Sequence, residues 1–235
     1  MKAIILAGGK GARLRPYTTI IPKPLVPVKD KAILEILIGR LKKYGITEIT
    51  LCVNHLYKLI MAYFGNGEEW GVKIGYSLED KPLGTIAPLK LIKNLPNNFF
   101  VMNGDVLTDI NFKQLFEFHL REKALLTVAV TKRRTKIDFG IFDVDKTKNI
   151  ALAFREKPEY ELNVSTGIYV FNKKVLDFVP RNKSLGFDEL VFLLLEEKQT
   201  IKLFPFEGYW LDIGRPEDYE KANEDIDKLI TKGVF

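Results

Sequence analysis

The chain holds one cysteine, Cys52, and two histidines, His55 and His119, among 235 residues. A single thiol excludes an internal disulfide. Cys52 stands in the apolar run 49–53 and is expected to be a small core residue. Two distant histidines without cysteine partners make no zinc site. Neither is given a role: His119 falls at the end of a helical stretch and His55 just after a strand. No apolar run approaches the ~18 residues of a membrane span. The N-terminal apolar stretch carries one lysine and no small-residue cleavage site, so it does not read as a signal peptide. Repeats and low-complexity linkers are missing too. These absences predict one compact cytoplasmic unit without a membrane partner.

What is present is a chain 46% hydrophobic, enough for a sizeable core. The net charge of +6 and pI near 9.1 suit an anionic ligand. They would also suit nucleic acid, but lysines are interleaved with acids along the chain. The main basic run, Lys132-Arg133-Arg134 followed by Lys136, has no stacking aromatics between its members. It is read as a solvated turn, and no nucleic-acid partner is expected.

Strand and helix patterns alternate, which predicts an α/β fold with a mixed, mostly parallel sheet and covering helices. Strands are expected at 3–7, 48–54, 72–77, 99–102, 124–131, 164–171, 200–205 and 209–212, with a hairpin over 139–144 and 150–156. Helices are expected after an Asp30 cap, then at 57–64, 86–92, 112–122, 187–197 and 217–231.

The first strand runs directly into Gly8-Gly9-Lys10-Gly11-Ala12-Arg13-Leu14-Arg15-Pro16, followed by Pro22-Lys23-Pro24. Glycines let backbone N–H groups converge on an anion. Arg13 and Lys23 add full charge for a polyphosphate. The run is not a Walker loop, and it is not a dinucleotide fingerprint, because Gly9 and Gly11 are followed by Leu14. A Gly-Gly-x-Gly alone is as readily a tight connection with no ligand. The added Arg, Lys and X-Pro constraints favour the phosphate reading.

Ligands of open α/β sheets sit beyond the carboxyl ends of strands. Asp105 ends the fourth strand and Asp212 the strand 209–212. Either alone reads as a turn or cap residue. As a pair across the mouth that holds Arg13 and Lys23, they suit Mg²⁺, a cation of hard oxygen ligands. Glu156-Lys157 also follows an apolar strand. Glu156 could accept from sugar hydroxyls and Lys157 bind a phosphate, and spacing leaves a plain salt-bridged turn open.

With these residues assembled, the chain resembles the sugar-1-phosphate nucleotidylyltransferases, and within them the mannose-1-phosphate guanylyltransferase-like proteins. The opening follows the family pattern from Gly8 to Pro24, with Ala12 where the family has Thr. Lys81-Pro82-Leu83-Gly84-Thr85, Asn103-Gly104-Asp105, Glu156-Lys157-Pro158, Gly167-Ile168-Tyr169-Val170 and Trp210-Leu211-Asp212-Ile213-Gly214 continue it in order.

The resemblance implies a three-layer Rossmann-like domain over 1–235, with a nucleotide-binding half (1–110) and a sugar-phosphate half (111–235). It also implies a reaction in which an NTP and a sugar-1-phosphate give an NDP-sugar and pyrophosphate. Arg13 and Lys23 are the implied catalytic residues. Leu6, Gly8, Gly9, Gly11, Glu79, Gly84 and Asp105 would bind the nucleotide. Gly140, Glu156, Lys157 and Thr166 would bind the sugar phosphate, and Asp105 and Asp212 would hold Mg²⁺. Many relatives continue into a hexapeptide β-helix, and this chain is expected to be the transfer module alone. A homodimer through an exposed edge or the last helix stays open.

Relatives that use dTTP or UTP carry Gln five residues before the glycine matching Gly84, where this chain has Glu79. A carboxylate only accepts hydrogen bonds. Guanine offers N1–H and N2–H₂ side by side, so GTP is expected, with UTP, dTTP and CTP as alternatives. Ser165-Thr166 replaces the Asn-Ala of guanylyltransferase-like relatives, and Ile86-Ala87 their Ala-Gly. Mannose itself is therefore one choice among hexose and heptose phosphates. A non-catalytic nucleotide-sugar sensor is the other reading. Such relatives lose the Arg or Lys of the opening motif, and both are present here.

Overall fold

The computed structural model describes residues 1–79, 83–180, 183–231 and 233–234, and the expected alternation of elements is there. In chain order they are β1 (Lys2–Leu6), β2 (Pro27–Val28), β3 (Lys31–Ala32), α1 (Ile33–Lys43), β4 (Glu48–Val53), α2 (Tyr57–Phe64), β5 (Lys73–Leu78), β6 (Asn98–Asn103) and β7 (Val106–Thr108). Then follow α3 (Phe112–Arg121), β8 (Leu126–Lys136), β9 (Ile141–Asp145), β10 (Ile150–Arg155), β11 (Glu159–Asn172), α4 (Phe187–Glu196), β12 (Ile201–Pro205), β13 (Trp210–Asp212) and α5 (Pro216–Thr231).

Seven strands form the central sheet in the order β12-β8-β11-β6-β1-β4-β5. β11 is antiparallel to both its neighbours, and the other pairings are parallel. Successive side chains of a strand face opposite ways. In β1, Ala3 and Ile5 enter one core and Ile4 the other; in β6, Phe100 and Met102 oppose Phe99 and Val101. The first core is closed by Leu34 and Leu37 of α1, Ile60 and Phe64 of α2, and Phe112 and Leu115 of α3. The second is closed by Leu190 and Leu194 of α4 with Leu89 and Val175. Such two-sided burial explains why the central strands read as near-continuous apolar runs. A third cluster seats Ala222 and Ile226 of α5 against Leu107, Leu211 and Ile213.

Three local expectations are corrected. Asp30 does not cap α1: Lys31–Ala32 pairs with Pro27–Val28 as a small ribbon, and Ala32 is the residue at the helix start. The stretch expected as a helix at 86–92 is a 3₁₀ helix over Ala87–Leu91, with Pro88 in its first turn. The basic run 132–136 is no turn. It extends β8 as a strand, with Lys132 opposite Asn163 and Arg134 opposite Glu161. Glu161 pairs with both Lys132 (2.8 Å) and Arg134 (3.4 Å), which makes a charged ribbon compatible with strand structure.

His119 is 1% exposed at the end of α3. Its Nδ1 lies 2.8 Å from the Thr127 hydroxyl and its Nε2 3.1 Å from Asn98 Oδ1. Asn172 also donates to that Asn98 oxygen, at 2.9 Å. Asn98 Oδ1 can only accept, so the neutral ring carries its proton on Nε2 and accepts from Thr127 through Nδ1. Burial lowers the His119 pKa from 6.5 to about 4. The folded state therefore favours the neutral ring. This preference is fully present above the unfolded pKa and fades as pH falls from about 6.5 towards 4. Thermal unfolding from pH 7 to 4 is predicted to show the wild type losing on the order of 3 kcal/mol to this ring. His119→Gln should start less stable at pH 7 and decline less steeply. Parallel curves would contradict the assignment.

Candidate active site

Because β1, β4, β5 and β6 are parallel neighbours, their carboxyl ends open on one side of the sheet. A cavity of about 410 Å³ lies there. Leu6, Gly8 and Gly9 form its β1 wall, Glu79 and Gly84 its β5 side, and Asn103, Asp105 and Lys23 its β6 side. The expected nucleotide residues therefore line one space, apart from Gly11. Gly11 has φ 61° and starts the 3₁₀ turn Ala12–Leu14. Its carbonyl accepts from the Thr18 hydroxyl at 2.7 Å, and a β-carbon there would lie 2.8 Å from Thr18 Cγ2. Gly11 shapes the loop that presents Arg13, and only glycine takes this conformation without strain.

The charged groups converge at the mouth. Lys23 forms an ion pair with Asp105 through Oδ2. The other oxygen, Oδ1, is buried without a partner. Immediately after Asp105, β7 pairs antiparallel with β13, setting Asp212 opposite Val106. The Ile213 N–H donates to the Asp105 carbonyl at 3.0 Å. Two residues more than a hundred positions apart are thus held side by side. Burial and then the Asp105 charge raise the Asp212 pKa, against the lowering effect of Lys23 and Arg13. The Arg13 guanidinium Nη2 would lie 3.4 Å from a β-carbon on Gly214.

Among the described residues no group of three or more His, Cys, Asp or Glu forms a metal cage. Two carboxylates, one with an orphaned buried oxygen, are what Mg²⁺ uses when substrate phosphates and waters complete its shell. The donor set fits that ion.

Glu79 follows β5 directly. Its Oε2 accepts from the Leu83 N–H at 3.0 Å, and its Oε1 would lie 3.7 Å from a β-carbon on Gly8. Burial raises its pKa, and the Leu83 N–H partly offsets this. The same carboxylate adds to the burial that lifts the Cys52 thiol to about 12, which leaves Cys52 an inert core group as expected. Gly84, at φ 80°, passes so close to the Leu185 carbonyl that a β-carbon would sit 2.6 Å from it. Lys81 and Pro82 of the same motif lie outside the described residues.

In the second half, β9 and β10 form the expected hairpin, and Gly140 and Glu156 flank it. A β-carbon on Gly140 would meet the Phe154 ring at 2.6 Å and Glu156 Oε2 at 3.1 Å, so these two expected sugar residues are neighbours. Lys157, exposed beside them, holds a left-handed backbone with φ 44°. That conformation costs roughly 1–2 kcal/mol for a non-glycine residue. Thr166 is buried; its hydroxyl donates to the Ala129 carbonyl at 2.9 Å, and its own carbonyl accepts from the Trp210 indole at 2.8 Å. Sequence reasoning left out Asn54 and gave His55 no role, and both also line this cavity. The strand-end rule that singled out Asp105 and Asp212 applies equally to the end of β4.

The raised Asp212 pKa means that its charge is disfavoured in the fold. The penalty is absent below the unfolded carboxylate range and grows as pH rises through the raised value. In metal-free buffer Asp212→Asn is predicted to melt above the wild type at pH 7, with the gain shrinking towards pH 4. A variant that melts below the wild type at pH 7 would contradict the crowding of these charges.

The nucleotidyl transferase family model matches residues 2–228. Mannose-1-phosphate guanyltransferase of Candida albicans is 38% identical over 227 residues, covering 93% of this chain and 62% of that protein. The Saccharomyces cerevisiae protein of the same name is 37% identical, with 93% and 63% covered. The chain therefore spans somewhat under two thirds of the length of these curated relatives. The crystal structure of HddC from Yersinia pseudotuberculosis complexed with GMP-PN superimposes with a TM-score of 0.72 at 29% identity, covering 96% of this chain and 99% of that one. With Gly8, Gly9, Lys23, Gly84, Asn103 and Asp105 gathered at one mouth of a Rossmann-like sheet, and with a family match over residues 2–228, the chain belongs to the nucleotidyl transferase family.

Proposed function

We propose that this chain transfers a nucleotidyl group, by preference from GTP, to a hexose- or heptose-type sugar-1-phosphate, releasing pyrophosphate and forming an NDP-sugar. The observation that carries this reading is the convergence of Lys23, Arg13, Asp105 and Asp212 beside the Gly8-Gly9 loop. A phosphate oxygen of the sugar phosphate attacks the α-phosphorus in line. The new P–O bond forms as the bond to the β-phosphate oxygen breaks, and pyrophosphate leaves with that electron pair. Such a reaction needs alignment and charge neutralisation rather than a covalent intermediate.

Each residue then has a task. Gly8 and Gly9 let the nucleotide phosphates approach the backbone. Lys23 sits between the attacking phosphate and the α-phosphate, and Arg13 neutralises the leaving pyrophosphate. Asp105 and Asp212 hold Mg²⁺, which when bound spreads the phosphate charge over a divalent ion. Glu79 accepts from guanine N1–H and N2–H₂. Guanine nucleotides also figure in the names of both the Candida relative and the HddC complex. Glu156 accepts from sugar hydroxyls beside Gly140, and Lys157 neutralises the sugar phosphate. The Thr166 side chain is already engaged with the Ala129 carbonyl, where β11 shifts register against β8 between Ser165 and Tyr169. Residues 1–110 serve the nucleotide and 111–235 the sugar phosphate.

Pyrophosphate release with Mg²⁺, GTP and a panel of sugar-1-phosphates tests the reading. Asp105→Asn should lower kcat by at least about a hundredfold, the scale of losing a transition-state charge stabiliser. Near-normal turnover would reject the metal role. Glu79→Gln, which adds a donor and removes the charge, should shift the GTP-to-UTP ratio of kcat/KM towards UTP by about tenfold, the effect of one charged hydrogen bond. An unchanged ratio would reject Glu79 as the base reader.

A further inference from the structure

Guanine presents two edges. Glu79 accounts for the donors N1–H and N2–H₂; the acceptors O6 and N7 need donors on the protein. In the sheet β4 lies between β1, which carries the Gly8 loop, and β5, which carries Glu79. Its carboxyl end is Asn54-His55, and both residues line the nucleotide cavity. A β-carbon built on Gly8 would lie 3.3 Å from Asn54 Cβ and 3.7 Å from Glu79 Oε1, so Asn54 and Glu79 flank one point of the cavity wall.

Of the other side-chain donors of the cavity, Lys10 is a cation on the glycine loop, suited to phosphate rather than to a neutral base acceptor, and the rest are placed or occupied differently. Lys23 is paired with Asp105. Asn103 ends β6, on the far side of β1 from Glu79. Thr85 accepts from the Phe187 N–H at 2.8 Å. Among the described residues neither the Asn54 amide nor the His55 ring is engaged in a hydrogen bond or ion pair. An amide NH₂ and an imidazole N–H are neutral donors, suited to carbonyl and ring-nitrogen acceptors.

We propose that Asn54 and His55 read the acceptor edge of guanine, O6 and N7, opposite the donor edge read by Glu79. The proposal rests on the GTP reading above. It makes base selection a two-sided reading, in which the chain contacts the imidazole ring that a pyrimidine lacks.

Analogue kinetics test it. The kcat/KM for GTP, ITP (no 2-amino group), 7-deaza-GTP (no N7 acceptor) and 6-thio-GTP (a weak acceptor at position 6) would be measured on the wild type, Asn54→Ala and His55→Ala. Each analogue-to-GTP ratio comes from one preparation, so partial misfolding cancels. The wild type should disfavour all three analogues by about three- to tenfold, the worth of one hydrogen bond each. In one variant or the other, the 7-deaza and 6-thio penalties should fall towards one while the ITP penalty persists. Undiminished 7-deaza and 6-thio penalties in both variants would overturn the proposal and leave the GTP reading standing. Equal use of UTP and GTP by the wild type would overturn both.

Discussion

Everything at the mouth of this sheet depends on two carboxylates being kept together against their own repulsion. Asp105 and Asp212 come from opposite halves of the chain. The short β7–β13 ladder fixes them side by side, and the Ile213 N–H ties down the Asp105 carbonyl. Asp212 is left with a raised pKa, caused by burial and by its neighbour. Without Lys23 against Asp105 and Arg13 nearby, the arrangement would be costlier still. On the proposed reading, this tension is what a divalent cation and a polyphosphate would relieve.

The remaining structure supplies the walls. Parallel strands β1, β4, β5 and β6 deliver their carboxyl ends to one rim, which brings the glycine loop, Asn54, Glu79 and Asp105 around a common cavity. β11 reverses direction between β6 and β8, and its long outer part pairs with the extended end of β8. The hairpin of β9 and β10 lies between those two strands in the chain, and Gly140 and Glu156 flank it. Loop contacts then join the halves: Leu83 and Ile86 exchange backbone hydrogen bonds with Leu185, and Phe187 donates to Thr85.

Most of the sheet was legible because buried strands are apolar runs ended by glycine or asparagine, and local periodicity is enough to find them. The failures share a cause. β7 is three residues long, too short for any period, and it exists only because it meets β13, the strand expected at 209–212. The run 132–136 looks like a turn by charge, yet Glu161 across the ladder neutralises two of its cations. Pro88 and the tight packing of Ala87 and Leu89 wind the helix expected at 86–92 as a 3₁₀ helix over Ala87–Leu91. In the site, the glycine loop, Lys23 and the two aspartates were found from residue type and strand-end position. Asn54 was passed over and His55 left without a role because neither stands in a motif. What distinguishes them is a place between β1 and β5, which only the strand order reveals.

One competition experiment weighs the central claim most directly. The protein would be incubated with Mg²⁺, equimolar GTP, UTP, dTTP, CTP and ATP, and a mixture of hexose and heptose 1-phosphates, and the products weighed by mass spectrometry. The account predicts a GDP-sugar as the dominant new species, whose mass also gives the sugar class. A dominant UDP- or dTDP-sugar would contradict the reading of the base by Glu79. No nucleotide-sugar, together with tight binding of one, would contradict catalysis itself.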